Sequence, residues 1–286
     1  MSTKSLVTLL ILVGLVIGIT QGLPQKAWHW FESTEIGSEL LSFSSGDEAE
    51  LPAPLRGLID PSANSHLTDV GVVTATNDQR QQNGRSILHS NAKLKAAAEA
   101  KIDDMFAKQY FEHKSPSGKS PADLVREQDY EYIVVGENLA LGNFKDDVAL
   151  VDAWMNSPGH RANILNPKYQ EIGVAVRKGQ FEGKEVWLAV QEFGAPLSTC
   201  PSPSDALKNT IDANRTSIAS MQSELQKQKA ELDANRYSSR DEYNKAVERY
   251  NALANQLNTF SEQTKSLVSE FNAAAADFNK CLESNS

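Results

Sequence analysis

Trp154-Met155-Asn156-Ser157-Pro158-Gly159-His160-Arg161-Ala162-Asn163-Ile164-Leu165-Asn166-Pro167 holds a helix end, a turn and a histidine in one short run. It ends a helical pattern running from about Lys145 to Asn156, in which Val148, Val151 and Trp154 share an apolar face suited to core packing. Ser157-Pro158 then turns the chain, and Gly159 allows a tight turn beside His160. Two segments rich in β-branched and aromatic residues follow, Gly173 to Val176 and Glu185 to Phe193. The intervening Lys178-Gly-Gln-Phe-Glu-Gly-Lys184 reads as a hairpin connection.

Upstream, helical periodicity starts near Leu67, pauses at Gln82-Asn83-Gly84 and resumes at Asn91. In the second run Leu94, Ala97, Ala98, Ile102, Met105 and Phe106 form one stripe while Lys95, Glu99 and Asp103 face water. A further apolar run covers Tyr130 to Val135. Helices and antiparallel strands therefore mix between residues 67 and 197, which predicts an α+β domain.

Beyond Pro196 the pattern becomes a heptad. Leu207, Ile211, Ile218, Met221, Leu225 and Leu232 recur at spacings of four and three, with Asn214 and Gln228 at polar seam positions. A second tract continues from Tyr243 and Val247 through Leu257, Ser261, Thr264, Val268 and Phe271 to Leu282. Asn235-Arg-Tyr-Ser-Ser-Arg-Asp241 interrupts the two with turn and helix-start residues. The two cysteines, Cys200 and Cys281, flank the tracts, and their midpoint falls in that interruption. An antiparallel coiled-coil hairpin over residues 200–282 brings them together as a disulfide, with arms of about 60 Å at 1.5 Å per residue. The competing arrangement is one long helix that dimerises in parallel with interchain disulfides. Oligomerisation through the coiled coil is open in either case. A third possibility folds the helical tracts back onto the domain as a brace.

The 286 residues are 40% hydrophobic and 23% charged, ordinary globular composition. A net charge of −9 and no concentrated basic face argue against nucleic acid as a partner. Leu6 to Ile19 is almost free of polar residues, so residues 1–22 read as an export signal, either a cleaved signal peptide or an anchor crossing the membrane through residues 5–22. Poor small-residue spacing at Thr20 and Gly22, and Trp28, Trp30 and Phe31 just beyond, favour retention. The protein is thus expected to be membrane-anchored with an extracytoplasmic domain, or secreted if residues 1–22 are removed. Residues 23–66, rich in Ser, Gly, Pro and acidic side chains, read as a flexible tether with a short helix at 34–41.

Three stretches carry the chemistry: Tyr110-Phe-Glu-His113-Lys-Ser-Pro116, Gly136-Glu137-Asn138-Leu-Ala140, and the Trp154–Pro167 segment. In order and spacing, with Tyr169-Gln-Glu-Ile-Gly-Val-Ala175 after them, they resemble the CAP superfamily of cysteine-rich secretory, antigen 5 and pathogenesis-related (SCP-like) proteins. The likeness covers residues 67–197 and is similar to the cysteine-free domains of bacterial type. The resemblance implies an α-β-α sandwich whose cleft carries two histidines and two acidic residues, able in some members to hold a divalent cation, and it admits apolar ligands such as lipids. His113, Glu137 and His160 match three of those positions. The fourth, a glutamate three residues after the tryptophan, is Ser157 here, and a hydroxyl cannot supply a carboxylate's charge.

Two imidazoles and one carboxylate suit zinc or a similar divalent cation with an open position. They equally suit a hydrogen-bonded network that fixes the cleft loops, with the glutamate raising the histidines' pKa values. Asn138 and Asn163 are expected to support the loops by bonding their backbone. Two functions follow: an extracellular binding module with a coiled-coil spacer, engaging an unidentified lipid or protein, or a metal-dependent hydrolase built on His113, Glu137 and His160. Ser115 and Ser157 lie near the site histidines, but each precedes a proline in a turn and neither sits in a nucleophile elbow. His29, His66 and His89 carry no assigned role.

Overall fold

The computed structural model describes residues 47–49, 51–59 and 64–285. The expectations for residues 1–22, for the helix at 34–41 and for the role of His29 lie outside them. Among the described residues no helix is long and apolar enough to cross a membrane.

The elements in chain order are β1 (Asp47–Glu48), β2 (Leu55–Arg56), α1 (Asp69–Gln82), β3 (His89–Ser90), α2 (Ala92–Lys108), α3 (Pro121–Glu127), β4 (Tyr132–Gly142), α4 (Asp147–Met155), α5 (Pro158–Ile164), β5 (Glu171–Phe181), β6 (Lys184–Pro196), a 3-10 turn at Leu197–Thr199, α6 (Asp205–Ala234) and α7 (Arg240–Asn285). They fall into two compact units. One contains the sheet and both ends of the helical hairpin, up to Lys208 and from Ser269. The other is the body of the hairpin, Asn209–Val268.

In the first unit β4, β6 and β5 form an antiparallel meander in space, flanked by β3 beyond β5 and by β1 and β2 on the outer edge of β4. Period-two alternation loads both faces of β4. Ala140 joins the cluster built by Val72 and Ala75 of α1, Leu150, Val151 and Trp154 of α4 and Ile164 of α5. Leu139 and Leu141 join the opposite cluster with Ala98, Ile102 and Met105 of α2. The result is the expected α-β-α sandwich. The α2 stripe is buried as its spacing predicts, whereas Val148 of α4 is 58% exposed and Leu150 takes the core position beside Val151 and Trp154. The β5–β6 hairpin is longer than the sequence pattern suggests. It closes on a two-residue turn, Glu182 and Gly183, both at positive φ, so Lys178–Phe181 and Lys184 are ladder residues rather than loop.

Asp47–Glu48 and Leu55–Arg56, which read as tether, are strands of the sheet. Asp47 and Glu48 pair in parallel with Val134 and Val135, and Leu55 and Arg56 with Ala140 and Leu141. The reason is the state of β4, buried along its whole length. A strand buried on both faces cannot leave its outer edge open to water or to another chain, and this segment covers it. Two-residue strands have no period to read in the sequence.

Gly136 and Gly159 do not make turns at positive φ. Gly136 lies within β4, where a Cβ would fall on the Tyr169 hydroxyl, and Gly159 lies in the first turn of α5 against Pro52. Both serve close approach.

Cys200 and Cys281 are bonded within the chain, with Cα atoms 5.7 Å apart. That pairing removes the interchain alternative. It also ties the end of α7 to the sheet unit, where Leu282 is buried in the same cluster as Cys200, with Phe278 and Cys281 packed against it. In the hairpin unit the predicted seam is buried at Ile211 and Ile218 on α6 and at Ala254, Leu257, Ser261, Thr264 and Val268 on α7; Met221, Leu225, Leu232 and Val247 are half-buried, and toward the start of α7 Tyr243 is exposed while Ala246 is buried instead. Asn214 Nδ2 donates to Thr264 Oγ1 at 3.1 Å, so two polar seam positions pair and set the antiparallel register.

Candidate functional site

The three motifs arrive from three elements: His113 from the loop after α2, Glu137 and Asn138 from β4, and Ser157, His160 and Asn163 from the start and body of α5. A buried lysine fixes the first. Lys101, fully buried on α2, donates from Nζ to the backbone carbonyl of His113 and lies 5.1 Å from the Tyr110 ring. Both nitrogens of the His113 ring are engaged. Nδ1 is 2.6 Å from Glu137 Oε1 and Nε2 is 2.5 Å from the Pro52 carbonyl. A carbonyl only accepts, so Nε2 carries a proton, and a second proton lies between Nδ1 and Oε1. The other carboxylate oxygen, Glu137 Oε2, is buried with no hydrogen-bond partner.

His160 belongs to a different set of bonds. Its Nδ1 is 2.8 Å from Ser157 Oγ, and its Nε2 is buried without a hydrogen-bond partner. Its pKa is not raised as the sequence reading expected but pushed down to about 4, first by burial and second by the charge of His113, with the Leu139 backbone opposing. Glu137 does not bond this ring, so the carboxylate that would have raised its pKa serves His113 alone. At neutral pH His160 is therefore an uncharged imidazole.

The asparagines weld the strand to the helix. Asn138 Nδ2 reaches the His160 carbonyl at 3.3 Å and Gln191 Oε1 at 3.1 Å, and Asn163 Nδ2 reaches the Glu137 carbonyl at 3.1 Å and Asn138 Oδ1 at 3.0 Å. Gln191 Nε2 continues the chain to Thr76 Oγ1 of α1 at 2.7 Å. These side chains are all buried, where a satisfied network rigidifies and a broken one is costly.

Strand alternation separates the two halves of the site. Glu137 and Asn138 are consecutive on β4 and point to opposite faces of the sheet, the first toward His113, the second toward the network around α5. Among the described residues no set of three or more His, Cys, Asp or Glu side chains is arranged to hold a metal ion. For His113 to ligate a cation it would have to surrender Glu137 or Pro52. The donor set therefore does not fit a divalent cation as it stands.

Sequence reasoning missed four participants. Glu192 of β6 sits directly across the ladder from Glu137 and is equally buried, so its carboxyl faces the same side of the sheet. Gln191 and Glu192 form a polar pair inside an otherwise apolar strand, a signal that was available. Lys101 occupies a core position of the α2 stripe, and Pro52 came from the supposed tether. Ser115 contributes only locally, its hydroxyl accepting from the Lys119 amide at 3.0 Å.

The family model described as CAP, cysteine-rich secretory protein family, matches residues 73–193. The chain is similar to the "Uncharacterized protein YkwD" of Bacillus subtilis (strain 168), 43% identical over 122 residues, which covers 43% of this chain and 45% of that protein. It is also similar to the "Uncharacterized membrane protein YlbC" of the same organism, 33% identical over 105 residues, 37% of this chain and 30% of that protein. The chain thus spans less than half the length of these curated relatives. Among solved structures, an extracellular protein containing an SCP domain from Bacillus anthracis str. Ames aligns with a TM-score of 0.38 at 28% identity, covering 43% of this chain and 38% of that one. Over residues 73–193, less than half of its length, the chain thus matches the CAP family, and the relatives named are bacterial proteins.

Proposed function

We propose that this protein acts outside the cytoplasm, anchored through residues 5–22 or secreted, as a binding module. Its CAP domain engages a surface or extracellular ligand and its helical hairpin serves as a spacer. The observation that carries this reading is the state of His113. Both ring nitrogens are committed to hydrogen bonds inside the protein, so the ring orients the cleft and supplies no lone pair to a metal. Two buried polar atoms without hydrogen-bond partners, Glu137 Oε2 and His160 Nε2, remain as the points at which a polar ligand group or a water gains most. A serine nucleophile finds no support either. His160 is neutral and bonded to Ser157, but its other nitrogen meets no orienting acid.

The membrane placement is supported by the apolar run at Leu6 to Ile19 and by the printed name of one relative as a membrane protein. The alternative function, a divalent-metal hydrolase on His113, Glu137 and His160, requires the His113 ring to be released. Elemental analysis and calorimetry with zinc, magnesium and calcium on the full chain decide between them. No stoichiometric binding at millimolar metal is expected. Stoichiometric binding that a His113→Ala/His160→Ala variant loses would overturn the binding-module reading.

A further inference from the structure

We propose that the cleft beside His113 and Gly159 is a groove for an extended, proline-containing polypeptide, and that residues 51–59 of this chain occupy it in cis. This rests on the reading of the cleft as a binding site and names the class of ligand it takes. The mode is strand addition to an exposed sheet edge, in which main-chain bonds supply affinity and pockets for individual side chains supply selectivity.

Each part of that mode is present. The Ala49 amide donates to the Val135 carbonyl at 2.9 Å and the Gly57 amide to the Leu141 carbonyl at 2.7 Å, so the segment is held on β4 at both ends. Residues 51–54 lie outside the ladder, between the pairings of Glu48 with Val135 and of Leu55 with Ala140, so in register they fall beside the stretch that carries Glu137. Pro52 and Pro54 lie in this excursion. Neither has an N–H, so neither leaves a donor unpaired where the ladder lapses. The Pro52 carbonyl is offered instead to His113 Nε2 at 2.5 Å. Leu55 packs against the apolar cluster that also takes Phe144, Arg56 lies 5.1 Å from the Phe111 ring, and Ile59 packs against the cluster of Leu139, Leu141 and Phe111.

The segment sits on the domain as a ligand does. None of residues 51–59 is fully buried, in contrast to the strand beneath, which is buried throughout. Covalent attachment gives such an occupant an effective concentration in the millimolar range for a short connection, so a free polypeptide of the same pattern competes poorly until the segment is displaced.

Gly159 offers a way to displace it. A Cβ there would lie 2.7 Å from Pro52 Cβ, and the three nearest atoms all belong to Pro52. Gly159→Ala in the full chain therefore acts on the segment, while α5 gains a better helix former. In this variant, hydrogen exchange at the Ala49 and Gly57 amides should accelerate. The added Cβ meets the same proline in a free peptide, so this variant should gain no affinity for a fluorescent peptide copying residues 47–59. Leu55→Asp removes the segment's own apolar anchor and leaves the groove unchanged: exchange at the same two amides should accelerate, and this variant should bind the peptide about tenfold more tightly than wild type while a scrambled peptide gains nothing. Faster exchange in Leu55→Asp without a gain in peptide affinity, an equal gain for the scrambled peptide, or unchanged exchange in both variants would overturn the proposal. A protein that binds neither peptide nor metal leaves the binding-module reading standing, whereas stoichiometric metal overturns that reading whatever the peptide does.

Discussion

Ser157 and His160 stand one turn apart at the start of α5, the hydroxyl 2.8 Å from Nδ1, and they bond to each other rather than to the acidic strand beside them. The pairing leaves a neutral, almost fully buried imidazole in the domain, with a pKa pushed down to about 4 by burial and by the charge of His113.

Stability should therefore fall with pH across that residue's titration. An unfolded histidine titrates near 6.5, so between about pH 6.5 and 4 the unfolded chain binds a proton that the folded chain refuses. Folding stability is full above this window and declines as pH drops through it, by on the order of 3 kcal/mol for the whole shift. His160→Gln, which keeps a polar side chain of similar reach, should flatten the dependence of Tm on pH between 6.5 and 4. Parallel curves for wild type and variant would show that another group governs the window.

The Cys200–Cys281 bond closes a separation of 81 residues. In the chain-entropy model a loop of that length is worth roughly 4 to 5 kcal/mol. Reduction, or Cys200→Ser with Cys281→Ser, should lower the urea midpoint and raise exchange in the last turns of α7, where Phe278 and Leu282 pack in the Cys200 cluster. A midpoint unmoved by reduction would mean that the packing alone holds that end.

In the hairpin, Thr264 is fully buried, donates to the Phe260 carbonyl at 2.8 Å and accepts from Asn214. Thr264→Val keeps the shape but strands the Asn214 amide, and should cost about 1 kcal/mol. Asn214→Leu with Thr264→Val removes both partners and should recover that loss while weakening register, visible as oligomers in light scattering. Additive single and double variants in urea melts would show that the pair is not coupled.

Much of the fold could be read in the chain because the relevant forces are local or periodic. The α2 stripe, the heptad seam of α6 and α7 and the β5–β6 hairpin each repeat an apolar pattern at a fixed spacing. The motif histidines and Glu137 were found by order and spacing, and Asn138 and Asn163 turned out to bond backbone inside the site. Val148 misled because α4 is short, and so few turns do not fix from spacing which of Val148 and Leu150, two positions apart, is buried.

By itself the sequence determined an α+β domain followed by two heptad tracts with a cysteine at the outer end of each, since burial follows periodicity; that the two cysteines bond within the chain was decided by the structure. Tertiary structure alone decided which partner each site residue has. Glu137 and Asn138 are neighbours in the chain but face opposite sides of a pleated strand, so His113 and His160 enter separate networks. Glu192 reaches Glu137's side of the sheet only through cross-strand register, and Pro52 reaches His113 only because a buried strand needs its edge covered. These are long-range pairings, fixed by sheet register and edge closure, and no spacing along the chain encodes them.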